Sequence, residues 1–149
     1  MTSISHALIG AAIASRVHDP VSAGAIAFAT HFLCDMIPHW DLGTNWRLRP
    51  KAVTGALAVG ETLIAVFGTY FLFASIIAEH FTLIVAIVAS LIPDWSEAPY
   101  YLLMPHSPKV FYYLYKIQSY LHERLAAPWG VVTQAATVGA FLVVGFVMK

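Results

Sequence analysis

Apolar runs cut by proline-bearing or charged turns set the layout of this chain. Residues 4 to 17 read as a short apolar helix with Ser3 or Ser5 as its N-cap. His18-Asp19-Pro20 makes a tight turn, and residues 21 to 37 return as a second apolar helix. Each is short of the roughly 20 residues that a full span needs, so a shallow hairpin and a pair of spans through a thinned bilayer both fit. Residues 42 to 51 are polar, and residues 52 to 78 form the longest apolar run, a span carrying one acid, Glu61. Glu79-His80 is a short turn, residues 81 to 92 lead back, and Pro93-Asp94-Trp95 is expected to end that segment. Residues 96 to 128 are more polar, with Pro99, Pro105, Pro108 and Pro128 as breaks. Within them Val110, Leu114, Ile117, Leu121 and Leu125 recur at helical spacing opposite Lys116, Ser119, His122 and Glu123. That pattern predicts an amphipathic helix lying on the membrane or against a bundle. Residues 129 to 148 read as a last span. The expected fold is an all-α integral membrane bundle of about five apolar helices plus one amphipathic interfacial helix, in a single domain over 1–149.

Composition strengthens the membrane reading. Hydrophobic residues make up 59% of the chain and charged ones 11%, against about 25% charged in ordinary soluble domains. The formal net charge is zero, which argues against a nucleic-acid partner. Cys34 is the sole cysteine, so no intramolecular disulfide can form. The N-terminal stretch lacks a basic n-region and a cleavage site, so it reads as a retained helix and not as a signal peptide. Placing 42–51 and 96–128 on one side gathers Arg47, Arg49, Lys51, Lys109, Lys116 and Arg124 there and leaves Arg16 and Lys149 opposite. The positive-inside rule then makes the richer side cytoplasmic. Trp40, Trp46, Trp95 and Trp129 suit an interfacial belt, as do Tyr112, Tyr113, Tyr115 and Tyr120.

Candidate chemistry concentrates in residues 31 to 41, His-Phe-Leu-Cys-Asp-Met-Ile-Pro-His-Trp-Asp. His31 and Asp35 are four apart and share one helix face. Pro38 ends the helix, which leaves His39 and Asp41 in a turn free to fold back. Ile37-Pro38-His39-Trp40 reappears as Ile92-Pro93-Asp94-Trp95, 55 positions later. Carried backwards, the same offset pairs His6 with Glu61, so a repeat of 1–45 on 56–100 would bring His6, Glu61, His39 and Asp94 to one centre.

Ionisable groups inside membrane segments are costly and face a cavity or a partner. His6, His31, Asp35, His39 and Asp94 are the candidate metal ligands, set against the simpler reading of hydrogen-bonded pairs that lock helices together. Glu61 and Asp41 are the candidate general bases or supporting carboxylates. Glu97, His106 and His122 could equally be surface polar residues, and His18 and His80 read as turn residues. Cys34 points away from Asp35 and reads as packing. Imidazole with carboxylate suits Zn²⁺, Mn²⁺ or Fe, and this many groups could hold one ion or two.

The Ser-His-Ala-Leu-Ile-Gly start at residues 5–10, the His-x-x-x-Asp-x-x-Pro-His-x-Asp motif at 31–41 and the Ile-Pro-Asp at 92–94 resemble small bacterial inner-membrane proteins of the YdjM type. That family is described as predicted membrane-bound metal-dependent hydrolases. The resemblance implies that His6, Asp35, His39 and Asp94 are ligands, with His31 and Asp41 beside them. Family members carry a His-Arg-x-x-Thr-His-Ser segment after the Pro-Asp motif, where this chain has Pro105-His106-Ser107 and Leu121-His122-Glu123-Arg124. The function expected is a hydrolase using Zn or Mn at the cytoplasmic face of the inner membrane, acting on a phosphoester of a lipid or other amphiphile. A metal-ion or proton transporter, and a non-catalytic membrane scaffold, are the alternatives.

Overall fold

The computed structural model of the chain describes residues 1–43, 48–103 and 106–148, and of Tyr101 and Leu103 only the backbone. Trp46, Arg47, Pro105 and Lys149 lie outside the described residues. Among the described residues six helices make up the fold: α1 (Ser3–Ala14), α2 (Pro20–Asp35), α3 (Lys51–Phe73), α4 (His80–Leu103), α5 (Lys109–Leu121) and α6 (Trp129–Val147). The turns Ile64–Gly68 in α3 and Val143–Val147 in α6 are wound as π-helix.

Three of the six, α3, α4 and α6, are long and apolar enough to cross a membrane. Of about five apolar helices expected, three have the length and apolarity of a span, and the question left open for the first two is answered by their length. α1 has 12 residues and α2 has 16, about 18 and 24 Å of helix against a hydrocarbon core of about 30 Å. These two form the inside of the bundle. α1 is buried nearly all round, and its small residues let neighbours approach closely. At Gly10 an added Cβ would stand 2.8 Å from the Ala86 carbonyl oxygen of α4. α2 buries Ala23, Ala27, Thr30, His31, Cys34 and Asp35, one stripe at helical spacing, and exposes Val21, Phe28 and Leu33 on the other. α3 and α6 carry exposed Val, Leu, Ile and Phe over most of their length. An apolar exterior around a polar centre is what a lipid solvent selects.

The caps follow local chemistry with one correction. Thr2, and neither Ser3 nor Ser5, caps α1, its side chain accepting from the Ser5 amide. Asp19 caps α2 by accepting from the Ser22 amide at 2.7 Å, with Pro20 in the first turn where its missing amide costs nothing.

Pro38 behaves as expected and Pro93 does not. α2 ends at Asp35, three residues before Pro38. α4 continues through both Pro93 and Pro99 to Leu103, so Pro93-Asp94-Trp95 is no helix end. In apolar surroundings a helix tolerates proline when other groups take up the freed backbone acceptors. Breaking α4 open there would strand more carbonyls than the proline itself does.

The chain beyond α2 is held by a second segment far away in sequence. The His39 amide donates to Glu123 O at 3.1 Å, the Leu125 amide to His39 O at 2.8 Å and the Glu123 amide to Asp35 O at 2.9 Å. His39 thus pairs with Arg124 in a parallel bridge just after α5 ends. Gly130 at the start of α6 sits against both strands of this bridge: its carbonyl accepts from the Trp40 amide at 3.2 Å. An added Cβ there would lie 2.0 Å from Leu125 O and 2.7 Å from Trp40 N, so glycine is required by space.

Candidate metal centre

Asp35 is the middle of the site. It is buried at the last residue of α2, and histidines reach it from several elements. His6 Nε2, from α1, lies 3.1 Å from its Oδ1. His31 Nε2, one turn earlier on α2, lies 3.3 Å from Oδ2. His39 Nε2, from the bridge, is 3.6 Å from Oδ1, and His122 Nδ1 is 3.2 Å from Oδ2. Asp94 Oδ1, on α4, stands 3.6 Å from His31 Nε2. These residues fall into two groups whose ligand atoms converge, His6 with His31 and Asp94, and Asp35 with His39 and His122.

The spacing suits a cation better than hydrogen bonds. Metal bonds of about 2.0–2.2 Å at tetrahedral angles put neighbouring ligand atoms about 3.4 Å apart. Most of the separations above fall near that value and are long for a direct hydrogen bond. Asp35 Oδ2 is buried, and the rings of His31 and His122 approach it at 3.3 and 3.2 Å without well-aligned hydrogen bonds, an arrangement that favours positive charge at this oxygen. The Met1 ammonium does contact Oδ1, so the centre already draws positive charge.

The supporting contacts fix which nitrogen of each ring points inwards. His31 Nδ1–H donates to the Ser90 carbonyl at 2.7 Å, and His39 Nδ1–H to the Ile37 carbonyl at 2.7 Å. Both rings therefore turn an Nε2 lone pair towards Asp35, the outer arrangement typical of metal-bound histidines. Pro93 lacks the amide that would bond the Ala89 carbonyl, whereas the carbonyl that His31 takes is that of Ser90, the next residue. His6 and His31 stack with ring centres 3.8 Å apart.

Outside the helices the titration of the histidines differs. Burial, helped by the N-terminal ammonium, holds His39 down at about 4, so its ring is neutral and fit to ligate. Burial also opposes charge on His122, but its contacts with Asp35 and Asp41 prevail and raise its pKa. Asp41 Oδ2 lies 2.7 Å from His122 Nε2 and accepts from Arg124 Nε at 3.1 Å. Asp41 thus orients His122. Glu61 is half-buried on α3 and accepts from the Ser3 amide at 2.7 Å.

Beside the cluster lies a cavity of about 150 Å³, lined by Glu61, Asp94, Glu97, His122, Arg49 and Arg124 among others. The five ligand candidates read from the sequence are all brought together, and Glu61 and Asp41 line the cavity next to them. The 55-residue offset does not describe the grouping: Asp94 falls with His6 and His31, His39 falls with Asp35 and His122, and Glu61 is in neither group. Of the three undecided residues, His122 joins the site, Glu97 lines the cavity, and His106 is exposed and in neither group. Gln118 escaped sequence reasoning. It is buried on α5, and its Nε2 donates to Asp94 Oδ1 at 2.8 Å and stands 3.3 Å from His31 Nε2. Its signal was its position four residues before His122, on the same helix face.

Comparison with family models, with curated proteins and with solved structures finds no match to this chain. Its chemistry is therefore argued from its own side chains.

Proposed function

We propose that this protein is a membrane-embedded, metal-dependent hydrolase that acts on a phosphoester of a lipid or other amphiphile. The observation that carries the reading is Asp35, a buried carboxylate with four imidazoles converging on its two oxygens. His6, His31 and Asp94 would hold one ion, and Asp35, His39 and His122 a second, with Zn or Mn the metals that suit these donors. Such ions supply a hydroxide near neutral pH and neutralise charge on a phosphoryl oxygen. The chain's own residues do the rest. Glu61 presents a carboxylate to the cavity and is placed to take a proton there. Asp41 holds His122 and Arg124 in register, and Gln118 holds Asp94. Arg49 and Arg124 stand among four carboxylates of the cavity, Asp41, Glu61, Asp94 and Glu97, and would add guanidinium donors for a phosphate once cations offset those acids. The motif likeness to YdjM-type proteins points to the same class. The basic residues beside the site support a location at the cytoplasmic face of the membrane, and the motif likeness supports a bacterial inner membrane.

The test is a phosphatase and phosphodiesterase screen on protein purified in mild detergent and supplied with Zn²⁺ or Mn²⁺. Turnover that is lost in Glu61→Gln with metal retained supports the assignment. Bound metal without turnover of any phosphoester would defeat it. The transporter reading draws on Pro93, since proline-interrupted helices also build transport sites. It predicts metal flux into proteoliposomes with no ester cleaved. Against it, Arg16, beyond the far end of α1, donates to Val144 O near the end of α6, and neither ligand group extends there.

A further inference from the structure

We propose that the cavity is reached sideways from the bilayer, between α3 and α4, by a phosphate-bearing amphiphile whose acyl part stays in lipid. The inference rests on reading the His/Asp cluster as a hydrolytic centre and adds the route and shape of its substrate. The cavity that touches Asp94, Glu61 and His122 is also lined by Leu57, Ala58, Trp95 and Ala98. Leu57 and Trp95 are 39% and 38% exposed, and Ala58 is exposed as well. Within one small space the wall changes from charged residues to partly exposed apolar ones on two helices of membrane-spanning length.

The two helices meet above and below this gap. Leu102 approaches to 3.5 Å of where a Cβ would stand at Gly55, and Trp95 Nε1 donates to Thr62 Oγ1 at 3.4 Å. Between those contacts the cavity is bordered by the small side chains of Ala58 and Ala98. Ala58 lies about 10 Å along α3 from Lys51, which in a core of about 30 Å is the outer third, near the headgroups. Volume decides what fits. About 150 Å³ is below the roughly 300–1,000 Å³ of sites that enclose a drug-sized molecule. A phosphate and its ester oxygen can enter, and acyl chains must remain outside. The polar part carries Arg49 and Arg124 together with the carboxylates of Asp41, Glu61, Asp94 and Glu97. A phosphate there would be received by the ions of the adjoining centre with the two guanidiniums beside them, while Leu57 and Trp95 line the apolar part.

The test uses full-length protein in phosphatidylcholine vesicles doped with a phosphatidic acid that carries a diazirine on its acyl chain. Wild type is compared with Ala58→Trp, Ala98→Trp and Val59→Trp; Val59 is 61% exposed to lipid on α3 and lies outside the cavity. Label is expected on the α3 and α4 peptides beside the cavity, falling about tenfold in Ala58→Trp and Ala98→Trp through steric exclusion. Val59→Trp should label like wild type, and bound metal should be kept in all four. Equal labelling in all four proteins, or label confined to other helices, overturns the proposal. So does labelling by a water-soluble benzophenone phosphate ester with none by the lipid probe. The two readings fail separately: the expected labelling pattern without phosphoester turnover leaves the lateral site standing and removes the hydrolase.

Discussion

Ile37-Pro38-His39-Trp40 and Ile92-Pro93-Asp94-Trp95 are nearly the same peptide in two different structures. Around Pro38 the helix stops and the chain leaves as an extended segment, because residues 123–125 and Gly130 are there to receive its amides and carbonyls. Around Pro93 no second strand is offered, and α4 runs on. Near each proline a carbonyl, Ile37 or Ser90, accepts Nδ1–H from a histidine and turns its Nε2 inwards. In an apolar bundle the neighbourhood decides whether a helix ends at a proline.

The largest effects should come from separating the two halves. His39→Ala, on the Pro38 side, and Asp94→Ala, on the Pro93 side, should each lose the metal of one group and keep that of the other, read by elemental analysis of folded protein. Complete loss in both would mean one shared ion and would merge the two groups. Backbone space gives the next contrast. Gly130→Ala attacks the Pro38 side, where the new methyl overlaps Leu125 O, and should cost about 3 kcal/mol by overpacking, seen as a lowered unfolding midpoint in detergent. Gly10→Ala presses on the Ala86 carbonyl of α4 and should cost about 1–3 kcal/mol. Gly60→Ala, with nothing within 4 Å of the added methyl, should leave stability unchanged or raise it by about 0.5 kcal/mol.

Smaller still is the change in Gln118→Leu, which frees Asp94 and should weaken metal about tenfold in a chelator competition, without touching the His39 group. His106→Ala should change neither metal binding nor stability, since the exposed ring joins neither group.

The helices and most ligands were legible because apolar periodicity and rare polar residues stand out in an oily chain. His31 with Asp35 needed only helical spacing, and His6 and Asp94 were reached through the 55-residue offset. Three features were not legible, each for a long-range reason. The partner of His39 is set by a backbone bridge across more than eighty residues, so His122 could not be distinguished from a surface histidine. The continuation of α4 through Pro93 depends on packing, while local rules favour a stop. The number of spans depends on which apolar helices are wrapped by others: α1 is as apolar as a membrane helix and spends that character inside the bundle.

The central claim is that the Asp35 centre binds metal, and elemental analysis of wild type beside Asp35→Ala tests it most directly. Both proteins would be purified in mild detergent, supplied with Zn²⁺ or Mn²⁺ and freed of excess ion. Asp35 is a ligand of the His39 group and contacts His6 and His31 of the other. Wild type should therefore carry stoichiometric metal, and Asp35→Ala should lose the ion of the His39 group and hold that of the His6 group more weakly while remaining folded. Metal-free wild type after that treatment, or equal metal in the two proteins, would contradict the account.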